Sequence, residues 1–266
     1  MLSLKGKRAL VTGASRGAGF GIAKMFAQAG AEIVATARNE ERLDKLRREI
    51  EAEGGKATVI AGDLSTREGA RTVAQQCGDV DILVNNAGVA IGKWLPFLDQ
   101  DDESWDYEFG LNVTGPVTLM RELAPAMIRK GFGRIINISS VSATRPMPDR
   151  APYSASKAAM EVASRAAAID LGRHGIRVNV VALGVTHTEA LDETLGELMS
   201  TEEAGLHFTP IGHVATVSEV AATCLFLACD VADSINGVVL PIDGGSTAGN
   251  FTPGQNSFAV SDELKR

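Results

Sequence analysis

Tyr153 and Lys157 stand four residues apart in the run Tyr153-Ser154-Ala155-Ser156-Lys157, in a chain that has only two tyrosines. On a helix this spacing puts both side chains on one face, where they can address one ligand. A phenol ionises at about 10 and is a poor acid or base near neutral pH unless its anion is stabilised. A neighbouring ammonium lowers that value. An isolated tyrosine–lysine pair is ordinarily a solvated surface pair. Here, however, a strand-like run thirteen residues upstream, GRIINISS, ends in Ser139 and Ser140. Their hydroxyls can donate to a carbonyl oxygen. Serine, tyrosine and lysine in this order fit proton transfer to or from a carbonyl or an alcohol.

Such chemistry needs a redox partner, and the N-terminal motif supplies a place for one. In V-T-G-A-S-R-G-A-G, Gly13, Ser15, Arg16, Gly17 and Gly19 run from a strand into a helix. Glycines there allow a tight turn and close approach to a pyrophosphate, which sits on the free N–H groups at the positive end of the helix. At the end of the second strand, a carboxylate would bind the adenosine ribose hydroxyls, whereas an arginine would accept a 2′-phosphate. The strand ends in A-T-A-R at Arg38, and Arg16 can reach the same group, so NADP(H) is preferred over NAD(H). The competing NAD reading has Glu40 or Glu41 folding back onto the ribose. Asp63 and Leu64 of A-G-D-L are offered to the adenine, and Asn86 and Gly88 of D-I-L-V-N-N-A-G end the fourth strand with small residues beside the cofactor.

Seven short apolar runs must position these groups: RALVTG, EIVATA, ATVIAG, DILVNN, GRIINIS, IRVNVVAL and GVVLPI. They alternate with amphipathic stretches such as 40–53, where Leu43, Leu46 and Ile50 recur at helical spacing. Doubly buried strands joined by right-handed crossovers predict an α/β, doubly wound Rossmann fold with a seven-stranded parallel sheet flanked by helices. No linker or repeat divides the 266 residues, so one domain over 1–266 is expected, with loops at 90–103, a substrate lid over 186–213 and a C-terminal tail over 246–266. The formal net charge of −7 gives no basic field to draw nucleic acid or anionic lipid. The longest apolar stretch, 220–229, is too short to span a bilayer. Cys77, Cys224 and Cys229 form no C-x-x-C pair and the histidines lack H-E-x-x-H spacing, so no metal is expected. Without a signal-like N-terminus, the cytoplasm is the default location.

Taken together, T-G-x-x-x-G-x-G at 12–19, N-N-A-G at 85–88, Asn112 in L-N-V-T-G, Ser140 and Y-x-x-x-K at 153–157 resemble the short-chain dehydrogenase/reductase family in its single-domain form. The resemblance runs from about Leu4 to Gly245. It implies that Tyr153 is the general acid, that Ser140 positions the carbonyl oxygen, that Lys157 binds the nicotinamide ribose and lowers the tyrosine pKa, and that Asn112 holds a water in the proton relay. It also implies that Thr188, with the Thr186 backbone beside it, binds the nicotinamide carboxamide. Leu183 stands where many members have proline, and Ala18 where a larger aliphatic residue is common.

Trp94, Phe97, Met147, Leu191 and Phe208 suit a small hydrophobic ketone or secondary alcohol, although the same side chains can serve as packing. Arg145 and Arg150 read as solvated loop residues. Two alternatives stay open. One is a 3-oxoacyl-carrier-protein reductase using Arg129, Lys130 and Arg173 to dock an acidic carrier; the other is a non-catalytic NADP(H)-binding sensor or scaffold, whose mark would be a broken serine–tyrosine–lysine set. The family's usual assembly through its two long helices implies a homotetramer or dimer.

Overall fold

The apolar runs form the strands they predict. The computed structural model describes residues 2–88, 94–195 and 199–249. Its strands are β1 (Arg8–Thr12), β2 (Glu32–Ala37), β3 (Lys56–Ala61), β4 (Ile82–Asn85), β5 (Gly133–Ser140), β6 (Ile176–Leu183), β7 (Thr186–His187), β8 (Ala215–Thr216) and β9 (Val239–Ile242). Seven of them make one parallel sheet in the order β3-β2-β1-β4-β5-β6-β9. Every residue of β5 is buried, as a continuous apolar run in a doubly covered sheet requires. The edge strand β3 alternates in exposure instead.

Helices lie on both faces. On one, α1 (Gly17–Gln28), α2 (Glu40–Ala52) and, late in the chain, a helix over Val217–Ala228 share a core with Ile33, Ile82, Ile136 and Val181. On the other, α3 (Arg67–Cys77), α5 (Gly115–Lys130) and α6 (Ala151–Gly172) pack against Leu10, Val34, Leu83 and Ile135. The predicted stripe of α2, Leu43, Leu46 and Ile50, is buried, and Asn39 caps that helix by accepting from the Arg42 N–H at 2.9 Å.

The connections hold more structure than loops. α4 (Asp102–Phe109) starts inside the stretch expected as a loop, because the Asp101 carboxylate caps it by accepting from the Ser104 N–H at 2.8 Å. The lid region contains α7 (Glu189–Leu195) and α8 (Thr201–Phe208), and β7 pairs in parallel with β8 at its base. A reciprocal cap between Ser200 and Glu203 starts α8, and the same device between Thr216 and Glu219 starts α9 (Val217–Ala228). Residues 89–93 and the tail from 250 onward lie outside the described residues.

The winding reverses between β1 and β4, the neighbours from which the chain proceeds to opposite edges. Ligands of open parallel sheets bind beyond the carboxyl ends of the strands at such a point.

Phe26 on α1 is fully buried and has the largest of the fully enclosed side chains. Phe26→Ala is expected to destabilise the protein by about 3–5 kcal/mol, read from urea denaturation; a loss below about 1 kcal/mol would mean that this core collapses to fill the gap.

Candidate active site

At the switch point the two strand ends are stitched together. The Thr12 hydroxyl, buried at the end of β1, accepts from the Asn86 and Ala87 N–H groups, each at 2.9 Å. In return the Asn86 amide donates to the carbonyls of Thr12 at 2.9 Å and Gly13 at 3.2 Å. Gly13 has φ +65°, and a Cβ on Gly19 would lie 2.4 Å from the Gly13 carbonyl oxygen. The turn therefore closes only with glycines, and the first turn of α1 carries neither an acidic side chain nor a side-chain cap to occupy its N–H groups.

A cleft of about 520 Å³ opens there, lined by Gly13, Ser15, Arg16 and Gly17, by Ala37 to Asn39 and Arg42, by Gly62 to Leu64, by Asn86 to Gly88, and by Thr188. Glycine backbone, a helix N-terminus without an acid and a cluster of arginines form a donor set suited to a dinucleotide with an extra phosphate. Arg16 donates to Glu193 of α7 at 3.0 Å, Arg42 to Glu189 at 3.1 Å, and Arg38 to the Tyr107 hydroxyl at 3.2 Å. The Asp63 carboxylate accepts from the Ser65 N–H at 3.0 Å, and Leu64 is buried.

Beyond this cleft, Ser140 ends β5 and Tyr153 and Lys157 share the first two turns of α6, where Pro152 suits the helix start. The Ser140 hydroxyl at the strand end acts on the Tyr153 phenol, favouring its ionised form, and itself accepts from the Ser142 N–H at 3.2 Å. Lys157, 5% exposed, donates to the Ile138 carbonyl at 3.0 Å and lies 5.7 Å from the Tyr153 ring centre. Asn112 sits in a π-helical turn, Gly110–Thr114, between α4 and α5. Such single turns recur at functional sites because they redirect a side chain. Asn112 donates through Nδ2 to Glu108 at 2.7 Å and to Ser156 at 3.0 Å, while its Oδ1 is buried without a protein partner. A Cβ on Gly88 would lie 3.1 Å from that oxygen and 3.2 Å from Lys157 Nζ, so both atoms border the same small space.

The chain matches the family described as enoyl-(acyl carrier protein) reductase over residues 13–247. Gluconate 5-dehydrogenase of Gluconobacter oxydans is 36% identical over 251 residues, 93% of this chain and 97% of that one. The 3-oxoacyl-[acyl-carrier-protein] reductase of Thermotoga maritima is 35% identical over 248 residues, 92% of this chain and 99% of that one. L-Sorbose reductase from Gluconobacter frateurii, solved with NADPH and L-sorbose, matches with a TM-score of 0.89 at 32% identity, covering 94% of this chain and 99% of that one. The chain belongs to the short-chain dehydrogenase/reductase family. It is an oxidoreductase acting between CH–OH and C=O groups, and NADP(H) is its cofactor.

Within this short-chain dehydrogenase/reductase, ten of the expected cofactor residues line one cleft: Gly13, Ser15, Arg16, Gly17, Arg38, Asp63, Leu64, Asn86, Gly88 and Thr188. Gly19 works from behind through its packing on Gly13. Thr186 lies in β7, where its hydroxyl donates to the Gly184 carbonyl at 3.2 Å. Arg150 is corrected: it is 4% exposed rather than solvated, and its guanidinium lies 4.7 Å from the Tyr153 ring centre and 5.0 Å from that of Trp94. Arg145 donates to the carbonyls of Ser246 and Gly249. Of the expected pocket side chains, Trp94, Phe97 and Met147 are exposed, and Leu191 and Phe208 are half-buried. Three residues escaped the sequence: Arg42, one turn into α2 from Arg38, and Glu108 and Arg150. Among the described residues no cluster suits a metal ion, and no helix is long and apolar enough to cross a membrane.

Burial dominates the electrostatics. It pushes the Tyr153 phenol above its ordinary value, opposed by the Ser140 hydrogen bond and the Arg150 charge and reinforced by Glu108. Burial also raises the Glu108 and Glu161 carboxyls. It lowers Lys157 to about 8, against the pull of Glu108 and Glu161. An unfolded lysine keeps its proton to about 10.4. Below about pH 8 the folded state therefore carries the full penalty of a buried ammonium, and this penalty fades as pH rises toward 10. Relative to Lys157→Met, the wild-type apoprotein is thus expected to gain roughly 2–3 kcal/mol of stability between pH 8 and pH 10.5, measured by urea denaturation. A difference that stays constant across this range would contradict the buried-ammonium assignment.

Proposed function

We propose that the protein reduces a ketone to a secondary alcohol with NADPH, and runs the reverse oxidation with NADP, using Ser140, Tyr153, Lys157 and Asn112. The observation that carries this reading is the grouping of Ser140, Tyr153, Lys157 and Asn112 beside the glycine-lined cleft, with Lys157 Nζ and Asn112 Oδ1 bordering the space at Gly88, a residue of that cleft's lining. The bound cofactor supplies two electrons and a hydrogen to the carbonyl carbon. The Ser140 and Tyr153 hydroxyls hold the carbonyl oxygen as negative charge builds on it, and Tyr153 then gives up its proton, leaving a phenolate. Arg150 beside the ring and Lys157 behind it supply the positive charge that makes that phenolate tolerable. Arg16, Arg38 and Arg42 receive the 2′-phosphate, the Gly13–Gly19 loop the pyrophosphate, and Thr188 with the Thr186 backbone the carboxamide.

Two substrate classes have specific support. A small hydrophobic ketone or alcohol is favoured by the exposed apolar side chains of Trp94, Phe97 and Met147. A polyhydroxylated ketone or sugar acid is favoured by the relatives that act on gluconate and L-sorbose. The carrier-protein relative keeps a 3-oxoacyl thioester in the comparison. We read the chain as one Rossmann domain that self-associates as a homotetramer or dimer. The apolar Ile128 of α5 and Val162 and Ile169 of α6, all exposed on this chain, support that assembly.

Tyr153→Phe is expected to bind NADPH nearly as well as wild type and to lose turnover by roughly 100- to 10,000-fold. NADPH oxidation over a panel of hydrophobic ketones, keto-sugars and 3-oxoacyl thioesters measures this, and retained turnover in the variant would overturn the assignment of the acid. Arg38→Ala and Arg42→Ala should each weaken NADPH binding by roughly 10- to 100-fold while leaving NADH binding nearly unchanged. Fluorescence titration separates the two cofactors, and an equal loss for both would move the phosphate site elsewhere.

A further inference from the structure

The site contains a buried carboxylate for which the proposed chemistry has no task. Glu108 is 4% exposed, on α4, and accepts from Asn112 Nδ2 at 2.7 Å. We infer that Glu108 is a positioning residue: its carboxylate fixes the Asn112 amide so that the amide oxygen, not the NH2 group, faces Lys157. This rests on the active-site reading given above.

Hydrogen-bond chemistry supports that orientation. An ionised carboxylate only accepts, so the amide must turn its NH2 group toward Glu108. The second amide proton goes to Ser156 Oγ at 3.0 Å, which is available as an acceptor because Ser156 spends its own proton on the Tyr153 carbonyl at 2.8 Å. Both donors of Asn112 are thereby used, and Oδ1 is left as a buried acceptor with no protein partner. It borders the space at Gly88 that Lys157 Nζ also borders. A flipped amide would point two hydrogens at an ammonium and its oxygen at a carboxylate, which is repulsive on both sides. The π turn supports the same end by holding Asn112 one turn after Glu108.

The charge of Glu108 also reaches the reacting groups. Arg150 and Lys157 face Glu108, and Arg150 and Glu108 face Tyr153, while Lys157 is faced by Glu108 and Glu161. Arg165 balances Glu161. Glu108 holds both the Tyr153 phenol and the Lys157 ammonium in their protonated forms to higher pH.

The test is Glu108→Gln, which keeps the shape but can present a donor to Asn112. NADPH affinity is expected to stay within about twofold, kcat for reduction to fall at least tenfold, and the basic limb of kcat to move to lower pH, because reduction needs the protonated phenol. The apoprotein gives a readout independent of turnover. In a Tyr107→Phe background Tyr153 is the only tyrosine, and its ionisation, followed by ultraviolet difference absorbance, should shift to lower pH when Glu108 becomes Gln. Glu108→Asp should restore the position of the pH limb while kcat stays low. Wild-type kcat together with an unmoved tyrosine titration in Glu108→Gln would overturn the inference. Should Glu108→Gln fail to fold, the wild-type protein still decides. Its Asn112 side-chain amide protons, assigned in 15N NMR spectra against Asn112→Ser, should be shifted downfield and exchange slowly; solvent-like shifts and fast exchange would overturn the inference. Turnover retained in a parallel Tyr153→Phe sample would fault the active-site reading itself, whereas an inactive Tyr153→Phe beside a wild-type-like Glu108→Gln would fault only the role of Glu108.

Discussion

The hydroxyl of Thr12 holds together the two halves of the sheet where their winding diverges. One oxygen accepts from two successive backbone N–H groups of the β4 end, and the Asn86 amide returns two bonds to the β1 end. The Gly13 turn, the direction of α1 and the floor of the cofactor cleft all depend on that stitch. Glycine is required next to it because a side chain on Gly19 would strike the carbonyl that Asn86 already uses. The cleft is thus a product of close backbone approach, and its polar lining combines the glycine backbone at the sheet's carboxyl edge with the side chains of Arg16, Arg38 and Arg42.

Behind the cleft the protein concentrates charge in a desolvated region. Glu108, Arg150, Lys157 and Glu161 are each nearly inaccessible, and their charges offset one another across α4 and α6. Buried charges of this kind contribute little net stability, and removal of one leaves its neighbours uncompensated. Their value lies in geometry and in proton affinity. The same helix, α6, contributes Met160 and Ala168 to the core and carries Tyr153 and Lys157, so these two side chains are held by packing rather than by a loop.

Much of this was legible in the residues. The continuous apolar runs became doubly covered strands, and the glycine spacing, the serine at the end of β5 and the tyrosine–lysine pair fall where the expectation put them, beside one cleft at the carboxyl edge of the sheet. Less legible was anything that depends on a charged residue being buried. Arg150 in M-P-D-R-A-P read as a solvated loop residue, and Glu108 in W-D-Y-E-F carried no mark to set it apart, because isolated charges in sequence are nearly always exposed. Only the tertiary contact between α4 and α6 encloses them. The spacing of Glu108 and Asn112, one helical turn, was visible, but the π turn that aims Asn112 has no comparable sequence mark. The helices of the lid were obscured for a different reason: α7 and α8 are short, and their start signals, such as Ser200 with Glu203, lie within a stretch that has no long apolar period.

The ion pairs from Arg16 to Glu193 and from Arg42 to Glu189 join the cofactor cleft to α7. Exposed pairs of this kind are individually weak and are screened by salt. In the proposed binding mode the lid acids hold the guanidinium groups that the cofactor's 2′-phosphate needs, and a phosphate carrying nearly two charges displaces a carboxylate carrying one. Arg16 and Arg42 are thus shared between α7 and the proposed phosphate position, and the lid acids and the phosphate compete for the same guanidinium groups.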